Sequence, residues 1–576
     1  RIRVANQILV PLSDVLYVFD EPSIGLSRSE NERLIHHFRR LVGKGNTVII
    51  VEHDLETIKA ADHIIEIGPA GGVDGGEVIF NGSLPDFAKS SELKDISPTY
   101  RALYQGKEAA TPSANPVDQF IRLIGCYERN LKNIDVDFQL SGLNVVSGKS
   151  GSGKSSLVKG TLLKAVERQI GKTIDGPVRI SSCENLEAID QLIFIDHSPI
   201  GKTPRSNPAT YLGISDYIRD LYASLPESKE HSYTNSRFSF NNNGGRCETC
   251  QGAGKIQIGM HFLGNVELIC GTCNGDRFNE ETLEIKYKGL SIADCYRLSV
   301  NEAVDLFHDQ KKLLVGLKIL QEIGLGYLTL GQSSATLSGG EAQRIKIANQ
   351  LQKKDTGNTL YIIIEPSIGL HQSNIKTLLQ LFDRIKQKGN TIVCIEQNAA
   401  VIGWSDRHIE LGPDSGAAGG NIVYQGVPKM VEESDLKWPA NDQKEIASQH
   451  EIQLNGVATH GLKNIDVRIP KNQLTVVTGL SGSGKSSLVY DTLFAESNAR
   501  FRESLSVYNR SFLQQNSTAK IQSFTGLGPA IGINRRGETP SRRSTVGTLS
   551  GIYDVFRLLY SRIAQQEGQP FTAQHF

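Results

Sequence analysis

Two stretches of this chain have the residue types and spacing that hold a phosphate. Gly148-Lys-Ser-Gly151-Ser-Gly153-Lys154-Ser155-Ser156 and Gly479-Leu-Ser-Gly482-Ser-Gly484-Lys485-Ser486-Ser487 both fit G-x-x-x-x-G-K-[ST]. Glycines let backbone N–H groups close around phosphate oxygens, and a following helix adds the partial positive charge of its N-terminus. The lysine reaches the β- and γ-phosphates and the serine hydroxyl reaches Mg²⁺. Each run follows an apolar, strand-like segment (LNVVS, LTVVT) and precedes a segment that reads as a helix. A Gly/Ser-rich turn without a ligand is the alternative, and two intact copies with the same flanks argue against it.

An acidic pair ends the apolar strand Val15–Phe19. Asp20 would hold Mg²⁺ and Glu21 would polarise an attacking water. Solvated carboxylates capping a strand end are the alternative. The strand TVIIVEHD carries His53 to the place where a γ-phosphate would be sensed, about thirty residues on, as a strand–helix–strand unit requires. Leu337-Ser338-Gly339-Gly340-Glu341 reads as a Ser-Gly-Gly turn opening a helix, a further anion site.

Cysteine supplies a second chemistry. Cys247-x-x-Cys250 and Cys270-x-x-Cys273 have the spacing of a four-thiolate zinc site. Two redox pairs are the alternative, disfavoured by the shared C-x-T-C form. Cys126, Cys183, Cys295 and Cys394 lie in apolar surroundings and read as inert core residues.

The elements that position these groups are repeated. Asn130–Val158 and Gly461–Val489 are copies of one unit, RIRVANQI from Arg1 matches RIKIANQL from Arg344, and FDEPSIGL matches IEPSIGL. YTNSRFSFN from Tyr233 is similarly matched by FTAQHF at Phe571–Phe576. One copy runs whole through 118–435, with a zinc module at about 240–280. The other is divided between 1–83 and 451–576, so the order is either permuted or that of rearranged pieces. Stretches at 84–117 and 436–450 read as linkers. With apolar strands alternating with helices, the fold class is α/β.

Across 576 residues Lys+Arg and Asp+Glu both number 62, so any grip on nucleic acid needs local basic groups. Arg535, Arg536, Arg542 and Arg543 form one, and Lys202 and Arg205 occupy the matching place in the other copy. They would neutralise phosphates, though a charge run is more often a solvated face. No apolar run is long enough for a membrane span and the sparse cysteines suit a reducing cytosol, so a cytoplasmic location without a signal peptide is expected.

The phosphate loops together with LSGGE resemble ABC-type ATPases, and the zinc module inserted between loop and signature resembles the UvrA family. Ile200-Gly-Lys-Thr-Pro-Arg-Ser-Asn-Pro and Glu284-Ile-Lys-Tyr-Lys-Gly add to that likeness. The resemblance implies two ABC heads with helical signature subdomains, ATP, Mg²⁺ and Zn²⁺ as cofactors, a homodimer, and damaged or distorted double-stranded DNA as partner, recognised through its shape. It implies that Ser338, Gly339 and Gly340 of one head face Lys485 of the other, with Asp20, Glu21 and His53 behind. The second site has Glu365 as its catalytic acid, but Ile364 replaces the metal-holding acid and Gln397 replaces the histidine. It should bind nucleotide and hydrolyse it slowly or not at all. The family's glutamine between the lobes is His197 in one copy and Arg535 in the other. Ile552–Arg562 runs almost at once into FTAQHF, so the insert that recruits UvrB is expected to be absent, which makes the chain similar to the second, drug-tolerance class of UvrA proteins. A ribosome-associated or transporter-type ABC ATPase is the alternative, against which the zinc-spaced cysteines speak.

Overall fold

The computed structural model describes residues 12–105, 119–201, 203, 205–260, 263–352, 357–429, 451–503, 519–533 and 545–563. Four strands from the first part of the chain are β1 (Leu16–Asp20), β2 (Thr47–Val51), β3 (His63–Gly68) and β4 (Glu77–Ser83). Six from the middle are β5 (Leu143–Ser147), β6 (Gln191–Ile195), β7 (Thr359–Ile364), β8 (Thr391–Ile395), β9 (Arg407–Gly412) and β10 (Asn421–Gly426). Two more, β11 (Leu474–Thr478) and β12 (Ala530–Ile533), come from the last part.

They make two six-stranded sheets of one topology. The first runs β12-β1-β2-β11-β3-β4 and the second β6-β7-β8-β5-β9-β10. In each, the strand leading into a phosphate loop (β11 or β5) lies centrally, and only the last strand is antiparallel. Strands such as TVIIV and TIVCI are apolar throughout because both faces are buried. The fold is therefore α/β, as the alternation of elements predicts.

Flanking helices obey the same local rules. Helix α1 (Arg28–Val42) starts at Ser27, whose N–H donates to Glu30 Oε2 at 2.9 Å, and buries Ile35, Phe38 and Leu41 at helical spacing. The turn after it is held by Asn46, which is fully buried. Its Oδ1 accepts from Val15 N at 3.1 Å, and its Nδ2 donates to Leu12 O and Leu41 O at 2.9 and 3.0 Å. Asn390 repeats this in the second head, bonding Thr359 N and Ile385 O, both at 3.1 Å. A polar side chain at the base of the sheet thus satisfies backbone groups that cannot reach water.

The segment 84–104, read from sequence as the start of a linker, forms three short helices, the last being α2 (Pro98–Tyr104). Ser83 and Ser97 cap two of them, and prolines occupy their first turns. Between β6 and β7 the second head carries helices α3 (Ile214–Ala223), α4 (Lys311–Glu322) and α5 (Gly339–Leu351), while α6 (Gln372–Lys386) covers the sheet beyond β7. Helix α7 (Ile552–Ile563) matches α3 in sequence. Ile218 and Tyr222 of α3 are buried, whereas Phe556 and Tyr560 at the matching places are exposed. No helix among the described residues is long and apolar enough to cross a membrane.

Replacing Asn46 by Leu strands the buried Val15 N–H, while Leu41 O keeps its bond from Lys44 N, and should cost about 1–3 kcal/mol. A lowered urea-unfolding midpoint would show this, and an unchanged midpoint would contradict it.

Candidate nucleotide sites and metal centre

Both glycine-rich loops leave their strands along a path closed to other residues. A Cβ on Gly479 (φ 131°) would lie 2.0 Å from Ile67 O, and one on Gly148 (φ 127°) 2.0 Å from Leu411 O. Lys485 Nζ donates to Gly479 O and Leu480 O at 3.1 and 2.6 Å. Lys154 Nζ likewise donates to Gly148 O, and to Lys149 O at 2.7 Å. The loop serines Ser483 and Ser152 are buried with no hydrogen-bond partner for their hydroxyls. Unsatisfied buried donors in a glycine cradle, one turn from a helix start at Lys485, fit a bound phosphate. Ser155 and Ser486 follow the lysines at the helix starts. Ser156 Oγ donates to Asn130 Oδ1 at 3.4 Å, and Ser487 O accepts from Thr492 Oγ1 at 2.8 Å.

Asp20 and Glu21 end β1 opposite Val51, so the acidic pair sits beside the end of β2 that carries His53. His53 Nε2 is 3.5 Å from Glu21 Oε1. Glu21 stands at φ 43° and Glu365 at φ 49°, a sparsely populated conformation stabilised by bonds from Glu21 N to Val51 O and Glu365 N to Ile395 O. Burial pushes the Lys485 ammonium down to about 8, against the opposing pull of Glu21, Asp20, Glu341 and Glu66.

Ile364 pairs with Ile395 at the register position Asp20 holds against Val51, so the apolar residue stands in the acid's place. Gln397 Nε2 donates to Gly148 O of its own loop.

The two heads meet through these loops. A Cβ on Gly25 would lie 3.0 Å from Glu365 Oε1, and one on Gly369 3.5 Å from Glu21 Oε1. Each PSIGL loop therefore lies against the other head's glutamate. Ser338 caps α5, with its N–H donating to Glu341 Oε2 at 2.8 Å, and the turn packs on its own head: a Cβ on Gly340 would meet Ile368 O, and one on Gly339 would meet His197.

Several residues of this region escaped sequence reading. Glu52 accepts from Ser23 N at 3.0 Å and from His53 N and Asp54 N at 2.8 and 3.2 Å, fixing the loop after Glu21 to the strand bearing His53. Glu396 repeats the arrangement with Ser367, Gln397 and Asn398, so alignment of the two copies could have found it. His371, fully buried, comes from the second head. Its ring lies 6.1 Å from that of His53, and its Nε2 is 3.4 Å from Thr99 Oγ1. Burial first, then the charges of His53, Lys485 and Arg101, hold it well below the usual histidine range. Glu66 accepts from Thr99 N at 3.0 Å and from the Ser97 hydroxyl. No motif marks these residues, because the strand and the helix α2 that hold them meet only in the fold.

The four cysteines Cys247, Cys250, Cys270 and Cys273 are buried, with all sulfurs within 4.8 Å of one another. Gly254 N–H donates to Cys250 Sγ at 3.2 Å, and the Cys273 and Thr272 backbone N–H groups help to draw the Cys270 thiol down to about 6. Such donors suit thiolates around a cation, so the set fits zinc. The hairpin Lys255–Met260/Leu263–Ile269 separates the knuckles. Cys126, Cys295 and Cys394 are buried, but Cys183 is exposed, contrary to the sequence reading. It lies on a three-residue strand, Ser182–Glu184, that is exposed throughout.

Of the basic residues, Arg205 is half-buried on a loop whose neighbours Gly201 and Ser206 bond Ser334, just ahead of the signature turn. Lys202, Arg535, Arg536, Arg542 and Arg543 lie outside the described residues, as do Arg1–Gln7 and Phe571–Phe576.

No protein-family model matches the chain. It is 44% identical over 453 residues to UvrABC system protein A of Staphylococcus epidermidis, covering 79% of this chain and 48% of that protein. It is 47% identical over 433 residues to the Aquifex aeolicus UvrABC system protein A, covering 75% and 46%. Among solved structures it is similar to UvrA2 from Deinococcus radiodurans, at 40% identity and TM-score 0.69, covering 74% of this chain and 51% of the other. The chain spans about half the length of the curated relatives it matches.

Two predictions follow from the geometry. The full chain should carry about one zinc by elemental analysis, and Cys270→Ser should lose it together with thermal stability. Glu52 is pushed up from 4.5 to about 7, chiefly by burial and by Asp54. Its proton is held more tightly folded than unfolded, so this contribution is full below the unfolded value and is lost as pH rises through about 7. Between these limits, stability of the wild type should fall relative to Glu52→Gln, and parallel pH profiles would refute it.

Proposed function

The chain belongs to the UvrA family, and from that premise we propose that it is an ABC-type ATPase that couples nucleotide turnover to binding of distorted or drug-modified duplex DNA. The observation that carries this reading is the meeting of the heads. Asp20, Glu21, His53 and Lys485 lie in one head, and Glu341 and His371 of the other head act on them. In this reading, loop N–H groups and Lys485 bind the triphosphate, while Ser338, Gly339 and Gly340 cap it from the start of α5. Asp20 and Ser486 would hold Mg²⁺, which supplies charge neutralisation of the phosphates. Glu21 accepts a hydrogen bond from the attacking water and His53 orients beside it. The site at Gly148–Ser155 binds nucleotide without efficient hydrolysis, because Ile364 offers no oxygen to a cation.

The zinc module has a physical path to this machinery. Arg277, next to its second knuckle, donates to Gly331 O at 3.1 Å in the segment leading to Ser338. Duplex binding falls to the basic groups at Lys202, Arg205, Arg535, Arg536, Arg542 and Arg543, so affinity should drop with salt. The homodimer and the drug-tolerance class without stable UvrB association belong to the same reading.

The test is steady-state phosphate release by the full chain with and without a duplex containing a bulky adduct. Lys485→Ala should abolish turnover, whereas Lys154→Ala should retain it. The reverse pattern, or turnover indifferent to DNA, would overturn the proposal.

A further inference from the structure

Tyr327 belongs to no motif above, yet its side chain reaches from the second head to the first head's phosphate loop. Its hydroxyl donates to Glu341 Oε1 at 2.5 Å and lies 3.2 Å from Ser481 Oγ. The carboxylate is the nearer acceptor for the phenol proton and Ser481 Oγ the farther one. The ring fits a slot formed by three glycines of the first head. A Cβ added to Gly482 would come within 2.5 Å of the ring, one on Gly71 within 3.1 Å, and one on Gly72 within 2.8 Å of Tyr327 Cβ.

The second head shows what closes such a slot. Gly416 N–H donates to Gly151 O at 3.0 Å, as Gly72 N–H does to Gly482 O at 3.0 Å, so the two loops are built alike. Yet the residue matching Gly71 is Ser415. Its hydroxyl donates to Ser150 O, and its Cβ occupies the space facing Gly151, where a Cβ there would approach it to 3.3 Å. The slot for an aromatic ring exists on one phosphate loop and is filled by a serine on the other.

We propose that Tyr327 is a positioning residue for hydrolysis at the first head. Through Glu341 and Ser481 it ties the signature turn of one head to the phosphate loop of the other, setting the distance between Lys485 and the start of α5. Glu341 is buried and also accepts from Ser338 N, so the phenol fixes the carboxylate that orders the turn. This rests on Gly479–Ser486 being the hydrolytic loop.

The test compares wild type, Tyr327→Phe and Gly71→Ser as full chains. The readouts are kcat and KM for Mg·ATP, and the unfolding temperature with and without Mg·ATPγS. Tyr327→Phe keeps the ring and loses only the hydroxyl. It should lower kcat on the order of tenfold, with KM changed less than about twofold, and should reduce the rise in unfolding temperature that Mg·ATPγS produces. Gly71→Ser, whose Cβ would press on Ser481 O at 2.6 Å as well as on the ring at 3.1 Å, should lower kcat as well. Wild-type kcat in Tyr327→Phe, or an undiminished Mg·ATPγS-induced stabilisation, overturns the inference and leaves the ATPase reading intact. A wild type without Lys485-dependent turnover removes that reading instead. The contact is then judged by the Mg·ATPγS-induced stabilisation, which Tyr327→Phe must reduce; an equal or absent stabilisation overturns it.

Discussion

The structure depends on the crossing of two short loops. Pro22–Leu26 and Pro366–Leu370 each lie against the glutamate that ends the other head's strand, at Gly25 and Gly369. Both glycines have φ near +65°, where side chains are disfavoured, and neither has a Cβ to hold the carboxylate off. This close approach brings two acidic strand ends together. It also carries His371 to His53 and Tyr327 to Ser481, so a change of fit at the crossing would reach the residues around Lys485.

Charge in this region is balanced locally rather than by solvent. Lys485 is almost fully buried, and carboxylates from both heads oppose its desolvation. Glu52 and Glu396 play a different part: each collects three backbone N–H groups and so sets the angle between a PSIGL loop and the strand beside it. The same frame exists twice, but Ile364 stands where Asp20 does, and Gln397 turns back to its own loop carbonyl. One frame thus carries two different sets of end residues.

Much of this was legible before any coordinates. The α/β class followed from apolar strands alternating with helices, and the four-cysteine cluster from knuckle spacing, because ligands on two tight turns need only short-range geometry. Cys183 was misread, since its immediate neighbours Ser182 and Glu184 are polar and its three-residue edge strand is exposed throughout. Residues 84–104 looked like a linker because their Pro, Ser and Lys content marks helix starts and breaks equally well.

By itself the sequence determined which side chains could bind phosphate and thiophilic metal, and that a second copy of each strand-end motif exists with altered residues. Only the tertiary structure decided which groups face one another across the heads. His371 beside His53, Tyr327 on Ser481 and Tyr327 in its glycine slot each join residues far apart along the chain. Motif spacing reports geometry along one strand or turn. Contact between two rigid bodies depends on shape and on where glycine leaves room, which no local pattern encodes.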